Sequence, residues 1–255
     1  MEAITVNTEL GKISVAIERI ENTQPIIFLH GVFLDKQLWS EYNTELTQRT
    51  HIYVDMPAHG ESSDVGHDWT LEDSVNTLMQ ILDTLAVERC IVIGQSWGSM
   101  IALRAACIYP HRFAALGLFN MPHKKTVGLR RFGFIFQKLF LFTPQFYAKQ
   151  AAKSLYSSNI LKIRPELISQ MQDRMSKRSA KELARIIDAV ILRPDTASRF
   201  IENLNVPALA IVGEDDYVGT PPKLETWTIP GRHISPHESF DSTKQAISRV
   251  LTLAG

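Results

Sequence analysis

Two cysteines in 255 residues are too few for a disulfide framework, so the fold must rest on its apolar core rather than on cross-links. Both Cys90 and Cys107 fall in apolar runs and read as small core side chains. No run of about 18 apolar residues occurs, so no membrane-spanning helix is expected. Met1–Thr5 lacks the basic stretch and apolar run of a secretory leader. A reducing, cytoplasmic setting is the expectation. Net charge is also missing: 27 Lys and Arg balance 27 Asp and Glu, which gives a pI near 7.1. The whole chain therefore has no electrostatic footprint for nucleic acid. Internal repeats, low-complexity tracts and motifs for metals, nucleotides or flavins are absent, and neither a metal nor another cofactor is expected.

What is present is apolar material in a particular order. Hydrophobic residues make up 45% of the chain, enough for one large core or two small ones. Ala3–Thr8 and Lys12–Arg19 alternate apolar and polar residues around Gly11, as an antiparallel hairpin at a sheet edge does. Pro25–Leu29, His51–Val54, Cys90–Ile93, Phe113–Phe119, Pro207–Val212 and Glu225–Ile229 are short runs that read as strands. Helical patterns separate them at about Gln37–Gln48, Leu71–Leu85 and Met100–Ala106, with Pro110 ending the third, and Phe240–Thr252 closes the chain. This alternation predicts a mostly parallel sheet of about eight strands, covered by helices on both faces. Residues 121–195 break the rhythm. They carry helical patterns and no strand signal, so they form an all-helical insertion between core segments 1–120 and 196–255.

At the centre lies Gly94-Gln95-Ser96-Trp97-Gly98, between the Cys90 strand and the Met100 helix. A serine at so sharp a strand-to-helix turn adopts a strained backbone, and glycines two residues to either side remove Cβ atoms that would collide. Its Oγ is then presented at a helix N-terminus, where backbone amides can stabilise an anion. Other motifs flank this one in order: His30-Gly31, then Asp55-x-Pro57-x-His59-Gly60-x-Ser62, then Gly213-x-x-Asp216, then His233. This series resembles the α/β-hydrolase family with a helical cap, across nearly the whole chain outside the insertion. The texture is similar to that of small bacterial esterases, with haloperoxidase-like and C–C-bond hydrolase branches nearby.

The resemblance implies a catalytic triad of Ser96 as nucleophile, Asp216 as acid and His233 as base, with Asp215 and His237 as the alternates. Asn120 occupies the other point at which the family places its acid, and a neutral amide cannot play that part. His30 is expected to hold loop backbone. The oxyanion donors implied are the amides of Val32 and Trp97, with Phe33 as second choice, and the side chains of all three should lie near the substrate. Only 17 residues separate Asp216 from His233, so little room remains for a crossover helix in that span.

The insertion holds an aromatic-rich stretch, Phe132–Phe142, much of which should be helix core. Together with Phe33, Phe132 and Phe136 are expected to line a substrate pocket. The insertion also carries 15 Lys and Arg against five Asp and Glu, a net charge of +10. The reading that follows is a serine hydrolase, monomer or homodimer, cleaving a carboxylic ester of a small, largely apolar substrate through an acyl-enzyme. A C–C bond hydrolase, a cofactor-free haloperoxidase or perhydrolase, and a slow-turnover ligand sensor would use the same residues.

Overall fold

The apolar runs form one sheet. In the computed structural model, which describes residues 1–43 and 47–255, eight strands lie in the order β1-β2-β4-β3-β5-β6-β7-β8. They are β1 Glu2–Thr8, β2 Gly11–Glu18, β3 Ile26–Leu29, β4 His51–Val54, β5 Cys90–Gln95, β6 Phe113–Phe119, β7 Ala208–Gly213 and β8 Thr226–Ile229. Strand β2 runs antiparallel to both neighbours, pairing Thr5 with Ser14 and Val15 with Val54, and every later pairing is parallel. Strands β3 to β6 are buried along their whole length, which is why their sequences run apolar without alternation.

Helices α1 (Leu71–Thr84) and α2 (Trp97–Ile108) are packed together, and α10 (Phe240–Leu253) packs on β6, after a single turn, α9 (Ser235–Glu238). The cause of α1 is legible: Thr70 and Asp73 form a reciprocal capping box, and Val75, Leu78, Ile81 and Leu82 recur at helical spacing and are buried.

Two elements differ from expectation or sharpen it. Of the helix expected over residues 37–48, the described residues show a 3₁₀ turn at Lys36–Trp39 and helical backbone at Thr47, and residues 44–46 lie outside the described residues. Side chains anchor this stretch instead: Trp39 Nε1 donates to the Leu29 carbonyl (3.2 Å) and the Tyr42 hydroxyl to the Pro236 carbonyl (2.6 Å). The Tyr42 carbonyl accepts from the Tyr53 hydroxyl (3.2 Å). Between β7 and β8 the crossover helix is reduced to turns, and β8 still pairs in parallel, Ala210 opposite Thr226. That edge is thinly covered. Thr228 is exposed, and Trp227 is half-buried beneath the Arg249 guanidinium, 5.7 Å from its ring centre.

The segment between β6 and β7 is helical throughout: α3 (Gly128–Gln137), α4 (Pro144–Leu155), α5 (Ser158–Ile163), α6 (Glu166–Ser176), α7 (Ala180–Ile187) and α8 (Ser198–Glu202). It has its own core, where Ala148 and Ala152 of α4 meet α6, which buries Leu167, Met171 and Met175. Charged clasps fasten it to the sheet body. Arg174 bonds Asp35 (2.6 Å), while Arg178 bonds Asp64 and donates to the Gly60 and Ser62 carbonyls (2.8 Å each).

The start of α2 is pressed against the sheet. A Cβ on Gly98 would stand 2.5 Å from the Leu29 carbonyl oxygen, closer than real Cβ contacts come. Gly98→Ala is therefore expected to cost about 1–3 kcal/mol, as overpacking does. Urea unfolding should show an earlier midpoint at unchanged slope, and an unchanged midpoint would refute the close packing.

Candidate active site

Ser96 sits at the junction of β5 and α2 with φ +51° and ψ −108°, a conformation that non-glycine residues rarely adopt and that costs about 1–3 kcal/mol. The turn persists because its neighbours determine it: the Ser96 amide donates to the Phe119 carbonyl (2.8 Å), and Ser99 Oγ donates to the Gly94 carbonyl (2.7 Å). Ser96 Oγ lies 2.9 Å from His233 Nε2, and His233 Nδ1 lies 2.9 Å from Asp216 Oδ1. The fold thus brings the turn after β5, the turn after β7 and the loop after β8 into one hydrogen-bonded chain at the carboxyl ends of the strands.

The alternates lie elsewhere. Asp215 is exposed, and its amide donates to the Gly231 carbonyl (3.1 Å). His237 is bonded through Nδ1 to the Tyr156 hydroxyl (2.7 Å) and stacks on that ring, tying the insert to the body. The Asp216 side chain has no solvent exposure, and a buried carboxylate needs donors to remain charged. Asn120 Nδ2 donates to Asp216 Oδ2 (2.7 Å) and to the Arg232 carbonyl (3.1 Å), while Asn120 Oδ1 accepts from Ser235 Oγ (2.6 Å). One amide at the end of β6 thus holds the acid and both sides of the His233 loop. Gln95 Nε2 adds a 2.6 Å bond to the His233 carbonyl. Sequence reasoning gave Asn120 only the negative role of a missing acid, and passed over Gln95 as a variable motif position.

Beside Ser96, the Val32 amide has no acceptor among the described residues, and Trp97 N–H, first in α2, has none within its helix. The Phe33 amide is already committed, donating to His59 Nε2 (3.0 Å). His59 Nδ1 in turn faces the Pro57 carbonyl (2.9 Å), so this imidazole is neutral and carries its proton on Nδ1. His30 does hold loop backbone, as expected: Nε2 accepts from the Met56 amide (2.9 Å) and Nδ1 faces the Gly31 carbonyl (2.7 Å). Two buried histidines therefore link the loops after β3 and β4.

A cavity of about 730 Å³ opens between Ser96 and the insert. Its lining includes Val32, Phe33, Ser96 and His233 from the body and Phe134, Phe136, Phe140 and Tyr147 from the insert. Two expectations need correction. The Trp97 side chain does not approach the cavity. It is buried in the body, 5.5 Å from Trp69 and 5.1 Å from His59 between ring centres, because the first turn of α2 faces inward. Phe132 does not line the cavity either. It stands on the outer side of α3 at 65% exposure, one turn from Phe136. Tyr217, which sequence reasoning missed, lines the cavity and stacks on His233 at 4.6 Å, its hydroxyl 3.3 Å from Nε2. Among the described residues no group of three or more His, Cys, Asp and Glu is placed to hold a metal.

Residues 24–227 match the family model described as alpha/beta hydrolase fold. A haloalkane dehalogenase of Psychrobacter cryohalolentis is 28% identical over 173 residues, 64% of this chain and 55% of that protein. The first curated relatives are matched over 30–48% of their own length. Among solved structures, an enol-lactonase from Burkholderia xenovorans superposes with a TM-score of 0.87 at 17% identity, covering 98% of this chain and 100% of that one. A thermophilic esterase from Thermogutta terrifontis does so with a TM-score of 0.83 at 22% identity, covering 100% and 99%. At such identities these likenesses speak to the fold.

Burial pushes His59 and His237 down to about 3, so both fold as neutral imidazoles. In the unfolded chain they titrate near 6.5. Their contribution is complete above pH 6.5 and is lost as pH falls from there toward 3, because only the unfolded state takes up the protons. Each should cost about 2 kcal/mol between pH 7 and pH 5. Chemical denaturation at the two pH values should show that loss, with His51, pushed down by burial to about 4, adding to it, and His237→Gln should reduce it by about 2 kcal/mol. A stability independent of pH over this range would contradict the burial.

Proposed function

Because the chain belongs to the alpha/beta hydrolase fold family, we propose that it is a serine hydrolase that cleaves a carboxylic ester, or a related acyl bond, of a small and largely apolar substrate. The observation that carries this reading is the chain of two 2.9 Å contacts from Ser96 Oγ through His233 to Asp216, ending at a serine beside two uncommitted amides.

In this reading His233 Nε2 takes the Ser96 hydroxyl proton as Oγ attacks the acyl carbon, then returns it to the leaving alcohol. An acyl-enzyme results, and a water activated by the same imidazole releases the acid. Asp216 keeps the Nδ1 proton in place and stabilises the imidazolium. The Val32 and Trp97 amides receive the oxyanion, each worth about 3 kcal/mol of barrier. Phe33 positions that loop through the bond from its amide to His59 rather than by donating to substrate. The helical insert acts as the cap, and Phe136 and Phe33, both in the cavity wall, support an apolar acyl pocket. The family also spans C–C cleavage and peroxide chemistry, and the cavity has no feature that favours those over ester hydrolysis.

A panel of p-nitrophenyl esters of increasing acyl length tests this reading. Specificity should rise with each methylene, by about 0.8 kcal/mol of binding, until the cavity is full. Ser96→Ala should abolish turnover while leaving the fold intact, and Asp216→Asn should lower kcat by roughly 10⁴-fold. Turnover retained in Ser96→Ala would end the proposal, and a flat length profile would remove the apolar pocket.

A further inference from the structure

Most of the large apolar side chains left in water, from Val127 to Phe146, are gathered on one part of the molecule. Helix α3 buries none of its residues, although half of them are large and apolar. Leu129, Phe132, Leu139 and Phe142 are 90, 65, 65 and 83% exposed. From Phe132 a line of rings runs to Phe136, Phe140 and Phe146, with centres 6.5, 5.6 and 6.3 Å apart. The last three also line the cavity above Ser96, so the exposed patch is continuous with the mouth of the candidate site. An apolar surface this extended marks a docking face.

Charge decides what docks there. The insert carries +10, and because the whole chain is neutral the remainder carries −10. On α4, Lys149 and Lys153 follow Phe146 at i+3 and i+7, the same helical stripe, and are exposed. Lys124 and Arg130 stand at the cavity wall. None of these four joins an ion pair among the described residues, whereas their neighbours Lys125 and Lys138 pair with Asp195 and Asp188. Residues 121–155, which include α3 and α4, carry seven Lys and Arg and no Asp or Glu, so a second copy seated on this face by two-fold symmetry would set like charges against one another, which opposes self-association. A bilayer with anionic headgroups offers both halves of the complement: acyl chains for the rings and negative charge for the lysines. The separation of +10 from −10 also turns this end of the molecule toward such a surface.

We propose that the α3–α4 face of the insert docks on anionic lipid bilayers, with Leu129, Phe132, Leu139 and Phe142 among the acyl chains and Lys149 and Lys153 at the headgroups. Resting on the hydrolase reading, the proposal makes the substrate an apolar ester dissolved in lipid, which enters past Phe136, Phe140 and Phe146 without crossing water. The test is co-sedimentation of the full chain with vesicles made of equal parts phosphatidylcholine and phosphatidylglycerol. Binding is expected, and it should fall at least about tenfold on pure phosphatidylcholine, at high salt and in Lys149→Glu/Lys153→Glu. Phe132→Ser/Phe142→Ser, whose side chains lie outside the cavity wall, should lose binding to the same degree while keeping the wild-type circular dichroism. Absence of binding, equal binding to neutral vesicles, or a dimer that dissociates in Phe132→Ser/Phe142→Ser would overturn the proposal. Sedimentation requires no turnover, so vesicle binding by a chain that cleaves no ester would support docking while the catalytic reading alone fails.

Discussion

The close approach of α2 to the sheet governs the rest of the structure. With no Cβ on Gly94 or Gly98, the first turn of the helix packs directly on the Leu29 backbone and on the end of β5. That packing goes with φ +51° at Ser96, which sets its hydroxyl at the cavity beside the first amide of the helix, a group with no acceptor within its own helix. The strain is local. It is offset by the buried strands on either side, which lose far more on unfolding than the turn would gain.

The second constraint is the buried carboxylate of Asp216. Nothing on its own turn could hold it charged except the Val218 amide at 3.3 Å. The rest comes from His233 Nδ1 and from Asn120, whose three bonds join the ends of β6, β7 and β8. An aspartate in the place of Asn120 would set two carboxylates side by side in a site without solvent, and one would have to be protonated. The neutral amide avoids that conflict and donates to Asp216 Oδ2, on the side away from His233. Gln95 and His59 do similar work on the opposite side, holding the His233 and Phe33 backbones where the proposed chemistry needs them.

What could be read from the sequence was what the chain does locally. Strand texture, the glycines around Ser96 and the capping of α1 each answer to neighbours a few residues away. The Asp55–Ser62 motif is of this kind: Ser62 Oγ donates to the Asp55 carbonyl (2.7 Å), and Gly60 leaves room for the Asp55 carboxylate. The count from Asp216 to His233 likewise showed that little room remained for a helix between β7 and β8. The supports of the site were not legible, because Asn120 meets Asp216 across 96 residues and Gln95 meets the His233 carbonyl across 138. The direction of a side chain was the other blind spot. Trp97 and Phe132 fell on the correct elements, but the rotation of each helix turned one into the core and the other outward.

The insert and the body divide the labour of the molecule by charge and by polarity. The body carries the turn, the relay and the negative charge. The insert supplies the cavity roof, the exposed aromatic face and the positive charge. The central claim is that one serine among all those in the chain is activated, and labelling by a fluorophosphonate tests it most directly. Intact-mass analysis and peptide mapping should find a single adduct, on Ser96, formed far more slowly in His233→Gln. Labelling at another residue, or an equal rate in the variant, would contradict the account.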